Sequence, residues 1–124
     1  MTNFKTVEPC YTGGNIYVYV GQLESGEYFL ADCECAIRLL NAPMDLENED
    51  HWYPEWQEEH LIKDLDETEG ISIMTDMLKW ILNNAPEGNY NKGDMTDELA
   101  FWEEVEARMA CGESFDSAVQ SMYL

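Results

Sequence analysis

Residues 16–31, IYVYVGQLESGEYFLA, decide the fold. Ile16, Val18 and Val20 alternate with Tyr17, Tyr19 and Gly21. A period of two in β-branched and aromatic residues marks a strand. Glu24-Ser25-Gly26-Glu27 interrupts the run, and Tyr28-Phe29-Leu30-Ala31 resumes it. The spacing predicts a β-hairpin with Gly26 in its turn.

Outward from this hairpin, FKTVEPCY (residues 4–11) reads as a first strand. Pro9 has no N–H to donate, so that strand is expected at an edge, or to end early. Thr12-Gly13-Gly14-Asn15 is a turn signal. On the other side, the short apolar run from Ala36 to Asn41 predicts a third strand, with a helical turn as the alternative. Pro43 to Pro54 is expected to be a loop, and Pro54 suits the first turn of a short helix, PEWQEEH. Leu61 to Leu65 fits either a last strand or an extension of that helix.

The second half has a different period. Asp66 and Glu69 frame a capping box. Ile71, Met74, Met77, Leu78, Ile81 and Leu82 then recur at helical spacing until Asn83-Asn84-Ala85-Pro86. Residues 87–93 read as a loop. The next helix is expected to start at Asp94 or Thr96, with Leu99, Trp102, Val105 and Met109 as its apolar stripe and Phe101 beside it. Gly112 stops it, and Ser114 caps a last helix carrying Phe115, Ala118, Val119 and Met122. Strands first and helices second predict an α+β fold in a single domain over residues 1–124. An N-terminal antiparallel hairpin or small sheet (about 4–40) is expected to pack against two or three C-terminal helices (about 67–84, 95–111 and 114–123). An acidic loop and short helix (43–65) lie between.

Charge sets the function classes. The chain has 26 Asp and Glu against 6 Lys and Arg, a net charge of −20 over 124 residues. Half of that excess falls in Asp45–Glu69, which holds eleven carboxylates and one base, Lys63. A hydrophobic share of 45% separates the chain from disordered acidic tails. The charge has the wrong sign for binding nucleic acid or an anionic membrane directly. It suits solubility in salt, cation binding, or a basic partner built to hold phosphates. The segment MTNFKTVEPC shows no basic and apolar leader pattern, and no stretch approaches a membrane span. A cytoplasmic, reducing location is therefore expected for Cys10, Cys33, Cys35 and Cys111.

No motif specifies a chemistry. Cys33-x-Cys35 with Cys10, Cys111, His51 and His60 lacks the paired spacing of a zinc site, and core packing of the thiols is the simpler alternative. The carboxylates of Asp45-x-Glu47-x-Glu49-Asp50 lack the glycine and terminal acid of a calcium loop. There is no G-x-S-x-G, P-loop or H-E-x-x-H, so no enzyme and no cofactor is expected. Carboxylates three and four residues apart on a helix stand about 5–6 Å from one another, a spacing comparable to that of successive phosphates. Glu55, Glu58 and Glu59 have it, as do Asp94, Asp97 and Glu98, and almost no bases are interleaved with them. Trp52, Tyr53 and Trp56 either anchor the acidic stretch to the core or remain exposed, where an aromatic face attracts a partner's Arg or Lys.

Three segments carry a resemblance: CYTGGNIYVYVGQLESGEYFLADCE (10–34), PEWQEEHLIKDL (54–65) and NAPEGNY (84–90). They resemble small acidic proteins encoded by phages and mobile elements of Gram-positive bacteria. The chain is similar in type to anti-CRISPR proteins that act as nucleic-acid mimics. The resemblance implies a non-enzymatic inhibitor in the bacterial host cell whose acidic face blocks the cleft where a CRISPR nuclease, with Cas9 the best single candidate, holds guide RNA or reads target DNA. That site uses arginines. The resemblance brings no catalytic residues. The partner-binding set expected from the charge pattern is Asp45, Glu47, Glu49, Asp50, Trp52, Glu55, Trp56, Glu58 and Glu59, with Asp94, Asp97 and Glu98. The alternatives are an antirestriction or general DNA-mimic protein, and a metal-binding accessory protein using the Cys and His residues.

Overall fold

The computed structural model describes residues 2–12, 16–32, 36–45, 47–84 and 92–122, without the side chains of residues 9–12, 16–17 and 92–95. It has the expected α+β order, an antiparallel sheet followed by helices. The chain divides into two compact units, residues 1–66 and 67–124.

The first unit is a five-stranded antiparallel meander. Its strands are β1 (Phe4–Thr12), β2 (Ile16–Leu23), β3 (Tyr28–Ala31), β4 (Ile37–Leu40) and β5 (Leu61–Asp64), in that spatial order. β1 is an edge strand, where Pro9 costs least, and it continues through the proline to Thr12. The hairpin predicted from IYVYV and YFLA is β2–β3, and Gly26 takes φ 110° in its turn. The run from Leu61 is a strand and not an extension of the preceding helix. It pairs with β4, setting Asp64 opposite Arg38, with Nε to Oδ1 at 3.0 Å. Both partners of that ion pair are partly exposed, so it contributes about 0–1 kcal/mol. The turn at residues 13–15 and the Cys33-x-Cys35 pair lie outside the described residues.

Register explains the core. Tyr19, Ala31 and Ile37 form one cross-strand row and are all buried. Phe29 lies on the same face and meets Phe4 edge-on at 5.6 Å between centroids. The other face carries Val20, Leu40 and Met44, with Tyr28, Leu30, Trp56 and Leu61 packed on them. A strand buried on both faces gives the near-continuous apolar run seen in IYVYV and YFLA, where a solvated sheet would alternate with polar residues.

Between β4 and β5 lies a segment expected to be a loop until Pro54. It contains a 3₁₀ helix, Glu49–Trp52, before α1 (Pro54–Glu59). The cause is local. The Asn48 side chain accepts from the Asp50 N–H at 3.0 Å, and Glu49 and Asp50 place negative charge in the first turn. Asn-Glu-Asp was the available signal.

The second unit is helical: α2 (Glu67–Asn84), α3 (Lys92–Ala110) and α4 (Phe115–Ser121). The stripe of α2 is buried at Ile71, Met74, Met77, Leu78 and Ile81. Its last turn closes with Asn84 Nδ2 donating to the Trp80 carbonyl at 2.9 Å. α3 begins at Lys92, two residues before Asp94, and buries Trp102 and Val105. Gly112 follows at φ 105°, and Ser114 Oγ accepts from the Ser117 N–H at 3.2 Å to cap α4. The predicted loop at 87–93 falls largely outside the described residues.

A net charge of −20 on these units opposes compaction. Screening by salt should relieve it, since the Debye length falls from about 30 Å at 0.01 M to about 3 Å at 1 M. The melting temperature is expected to rise steadily when NaCl is added. A melting temperature independent of salt would mean that the carboxylates do not strain the fold.

Candidate interaction surface

The acidic stretch is built on a short, well-pinned scaffold. Asp45 Oδ1 accepts from the Glu47 N–H at 2.9 Å. The Asp45 N–H donates to His51 Nδ1 at 2.8 Å, so in this arrangement the neutral His51 ring carries its proton on Nε2. His51 stacks on Trp56, with centroids 3.9 Å apart and planes at 17°. His60 meets the same indole at 4.5 Å, and its Nδ1 lies 3.0 Å from Asn41 Oδ1. Gln57 ties the 3₁₀ helix to the sheet: its Nε2 donates to the His51 carbonyl at 3.3 Å, and its Oε1 accepts from Arg38 at 3.4 Å. These contacts order the backbone that carries the carboxylates, so their spacing is fixed before any partner arrives.

The scaffold divides the expected site residues into groups. Asp45, Glu47, Glu49, Asp50, Glu55, Glu58 and Glu59 are all exposed, and among the described residues none of them pairs with a base. Trp52 and Tyr53 stand 38% and 59% exposed in their midst. Trp56 is different. It is half-buried, packs on the Val20–Leu40–Met44 cluster and is flanked by imidazole. It is the anchor of the stretch, while Trp52 and Tyr53 are the aromatics left to the surface. Ile62, 51% exposed on β5, was not singled out by the sequence, because an ambiguous strand-or-helix run does not say which way it points.

Asp94, Asp97 and Glu98 belong to the second unit. Asp97 is exposed, Glu98 is half-buried and already engaged, and the Asp94 side chain lies outside the described residues. The near absence of interleaved bases does not extend to the C-terminal half of α3, where acids are paired. Lys79 on α2 reaches Glu103 at 4.0 Å, and Arg108 stands 3.1 Å from Glu104, one turn away. The first pair crosses between helices and leaves no trace in sequence spacing. The second is an ordinary i, i+4 pair.

The Cys and His residues weighed as metal ligands are only partly described, since the Cys10 side chain lies outside the described residues. Among the described residues no three His, Cys, Asp or Glu side chains converge. Both imidazoles abut Trp56, Cys111 is exposed, and Cys33 and Cys35 lie outside the described residues. Glu27 sits in the β2–β3 turn. The Ser25 hydroxyl donates to it and holds it below the usual glutamate value. The contact is local to the turn. No helix among the described residues is long and apolar enough to cross a membrane.

The anchor and the exposed aromatic separate experimentally. Trp56→Ala is expected to destabilise the protein by about 3 kcal/mol, the usual scale for removing a packed aromatic. Trp52→Ala is expected to change stability by under about 1 kcal/mol. Urea titrations of the two variants check this. Equal losses would mean that Trp52 is an anchor too.

Compared with known proteins, the chain matches no protein-family model, no curated protein and no solved structure.

Proposed function

We propose that the protein is a non-enzymatic inhibitor that mimics nucleic acid. It occupies a basic groove of a CRISPR-Cas nuclease, with Cas9 as the leading candidate, and so blocks guide or target binding. The observation that carries this reading is the surface formed by Asp45 to Glu59: seven exposed carboxylates without a described basic partner, on a pinned backbone, with Trp52 and Tyr53 exposed among them.

The physics favours a protein partner over the bland alternative of solubility. A solvated acidic surface gains nothing from fixed spacing or from exposed indole and phenol rings. A surface competing with DNA or RNA gains from both. Rigid carboxylates match a row of arginines, and the aromatics supply contact area and cation–π attraction as water leaves. A phosphate-holding cleft binds largely through Lys and Arg, so its affinity for a mimic falls with salt as its affinity for nucleic acid does. An antirestriction protein would use the same surface against a different basic nuclease.

The test is recovery of partners by tagged protein from a bacterial lysate containing CRISPR and restriction systems, at low and high salt. The reading expects one basic nuclease, released at high salt and displaced by its own DNA or guide RNA. Recovery of no salt-sensitive nuclease overturns it.

A further inference from the structure

The second unit holds a groove of about 540 Å³ to which the residues of the Asp45–Glu59 surface do not contribute. It runs across the first turn of α2, the last turn of α3 and the start of α4. Ile71, Met109 and Phe115 give it an apolar floor, and Glu67, Glu106 and Glu113 stand on its lining. Its volume lies within the range of about 300–1,000 Å³ typical of sites that take small ligands or a few side chains.

The charges of this groove are incompletely answered within the unit. No Lys or Arg lines it. Arg108 serves two glutamates at once, with Nε 3.1 Å from Glu104 and Nη1 3.6 Å from Glu113 Oε1. The first is a charge contact without hydrogen-bond alignment. The other Glu113 oxygen, Oε2, is closed off from water and accepts no hydrogen bond. Met109 supplies an unbranched, polarizable side chain that adapts to different apolar shapes.

We propose that this groove is a second docking surface, and that it takes a short amphipathic cationic segment of a partner protein. An apolar side chain of the segment rests on Ile71, Met109 and Phe115. A neighbouring Lys or Arg faces Glu67, Glu106 and Glu113. Charge decides the occupant. A second copy of this chain brings a net charge of −20, and nucleic acid or an anionic membrane is repelled in the same way. A purely apolar segment brings no charge to Glu67 and Glu106, which line the groove without a described basic partner. This goes beyond the inhibitor reading, which uses residues of the first unit and of the start of α3.

The probe is a synthetic amphipathic decapeptide of lysine and leucine at helical spacing, compared with a decapeptide of lysine and glycine carrying the same charge. Binding of both to the full chain is measured by calorimetry in about 0.15 M salt, where long-range attraction is largely screened. The proposal expects the leucine peptide to bind at least tenfold more tightly. It also expects Ala110→Trp, which fills the groove without changing charge, to abolish that advantage, while Glu58→Lys with Glu59→Lys retains it. Equal binding of the two peptides, or an advantage that survives Ala110→Trp, overturns the proposal. Amide shift mapping on the unsubstituted protein needs no variant. Shifts centred on Thr68, Ser72, Ala110 and Ser114 are expected, and shifts spread over the acidic surface instead would overturn it.

Discussion

Gly21→Ala is expected to be the most damaging small substitution in the chain. Gly21 lies in β2 opposite Val7, beside the register shift between Phe4 and Thr6 in β1. A Cβ built there would stand 2.0 Å from the Thr6 carbonyl oxygen and 2.8 Å from its carbon. Those are backbone atoms, so no side chain can swing aside. Nor is β2 free to retreat, because Gly21 is also paired with Phe29 of β3. The close approach is the reason a glycine interrupts the β-branched alternation. Relief requires the β1–β2 ladder to open or shift, and a cost of about 3 kcal/mol or more is expected, at the upper end for overpacking. For a chain of this length that is a fall of roughly 10 °C in melting temperature. Gly26→Ala is the comparison. Its positive φ is unfavourable for alanine, but nothing lies within 4 Å of the added carbon, so about 1 kcal/mol is expected. Urea titration of both variants checks the order. A Gly21→Ala loss no larger than that of Gly26→Ala would mean that β1 does not approach β2 so closely.

Charge reversal in α1 is expected to have the largest effect on partner binding. Glu58 and Glu59 are exposed and have no described basic partner. Replacing both by lysine would place two positive charges against the Arg and Lys of the proposed partner groove, where like charges cost several kcal/mol. A loss of about 3 kcal/mol, or roughly 100-fold in affinity, is expected at physiological salt. The matched control is Glu8→Lys with Glu24→Lys, two exposed positions of the same unit outside the acidic stretch, which brings the same change in net charge. Glu113 is unsuitable as a control because it is ion-paired with Arg108. The control is expected to bind within about threefold of the unsubstituted protein, the scale of a rim charge. Both variants reduce the net charge by the same amount, so nonspecific repulsion cannot separate them. Equal losses would show that affinity follows total charge and not the surface of α1.

The sequence showed most of the fold because its two halves have different periods. IYVYV and YFLA alternate by two, and the stripe from Ile71 to Ile81 recurs at helical spacing, so a sheet followed by helices was readable. Local chemistry at Gly112 and Ser114 placed the helix ends correctly. The ambiguity at Leu61–Leu65 had a physical source. Five residues of mixed polarity have no period long enough to distinguish strand from helix, and pairing with β4 decides it. The site was legible as composition and not as geometry. The sequence placed Trp52 and Trp56 in the same surroundings. Only the packing of Trp56 on Val20, Leu40 and Met44, with His51 stacked on it, separates the anchor from the exposed ring. The groove beside Phe115 was invisible because its lining comes from residues nearly fifty positions apart, Glu67 to Phe115, each of which reads alone as an ordinary amphipathic helix position.

The most direct measurement is competition. Purified Cas9 with its guide RNA is titrated with target DNA in the presence of increasing amounts of this protein, at several salt concentrations. A restriction endonuclease and its cognate DNA are assayed in parallel. The account predicts that DNA binding by one of the two nucleases is displaced competitively, that displacement weakens steeply as salt rises, and that the Glu58→Lys, Glu59→Lys protein fails to displace. DNA binding left unchanged in both assays at low salt would contradict it.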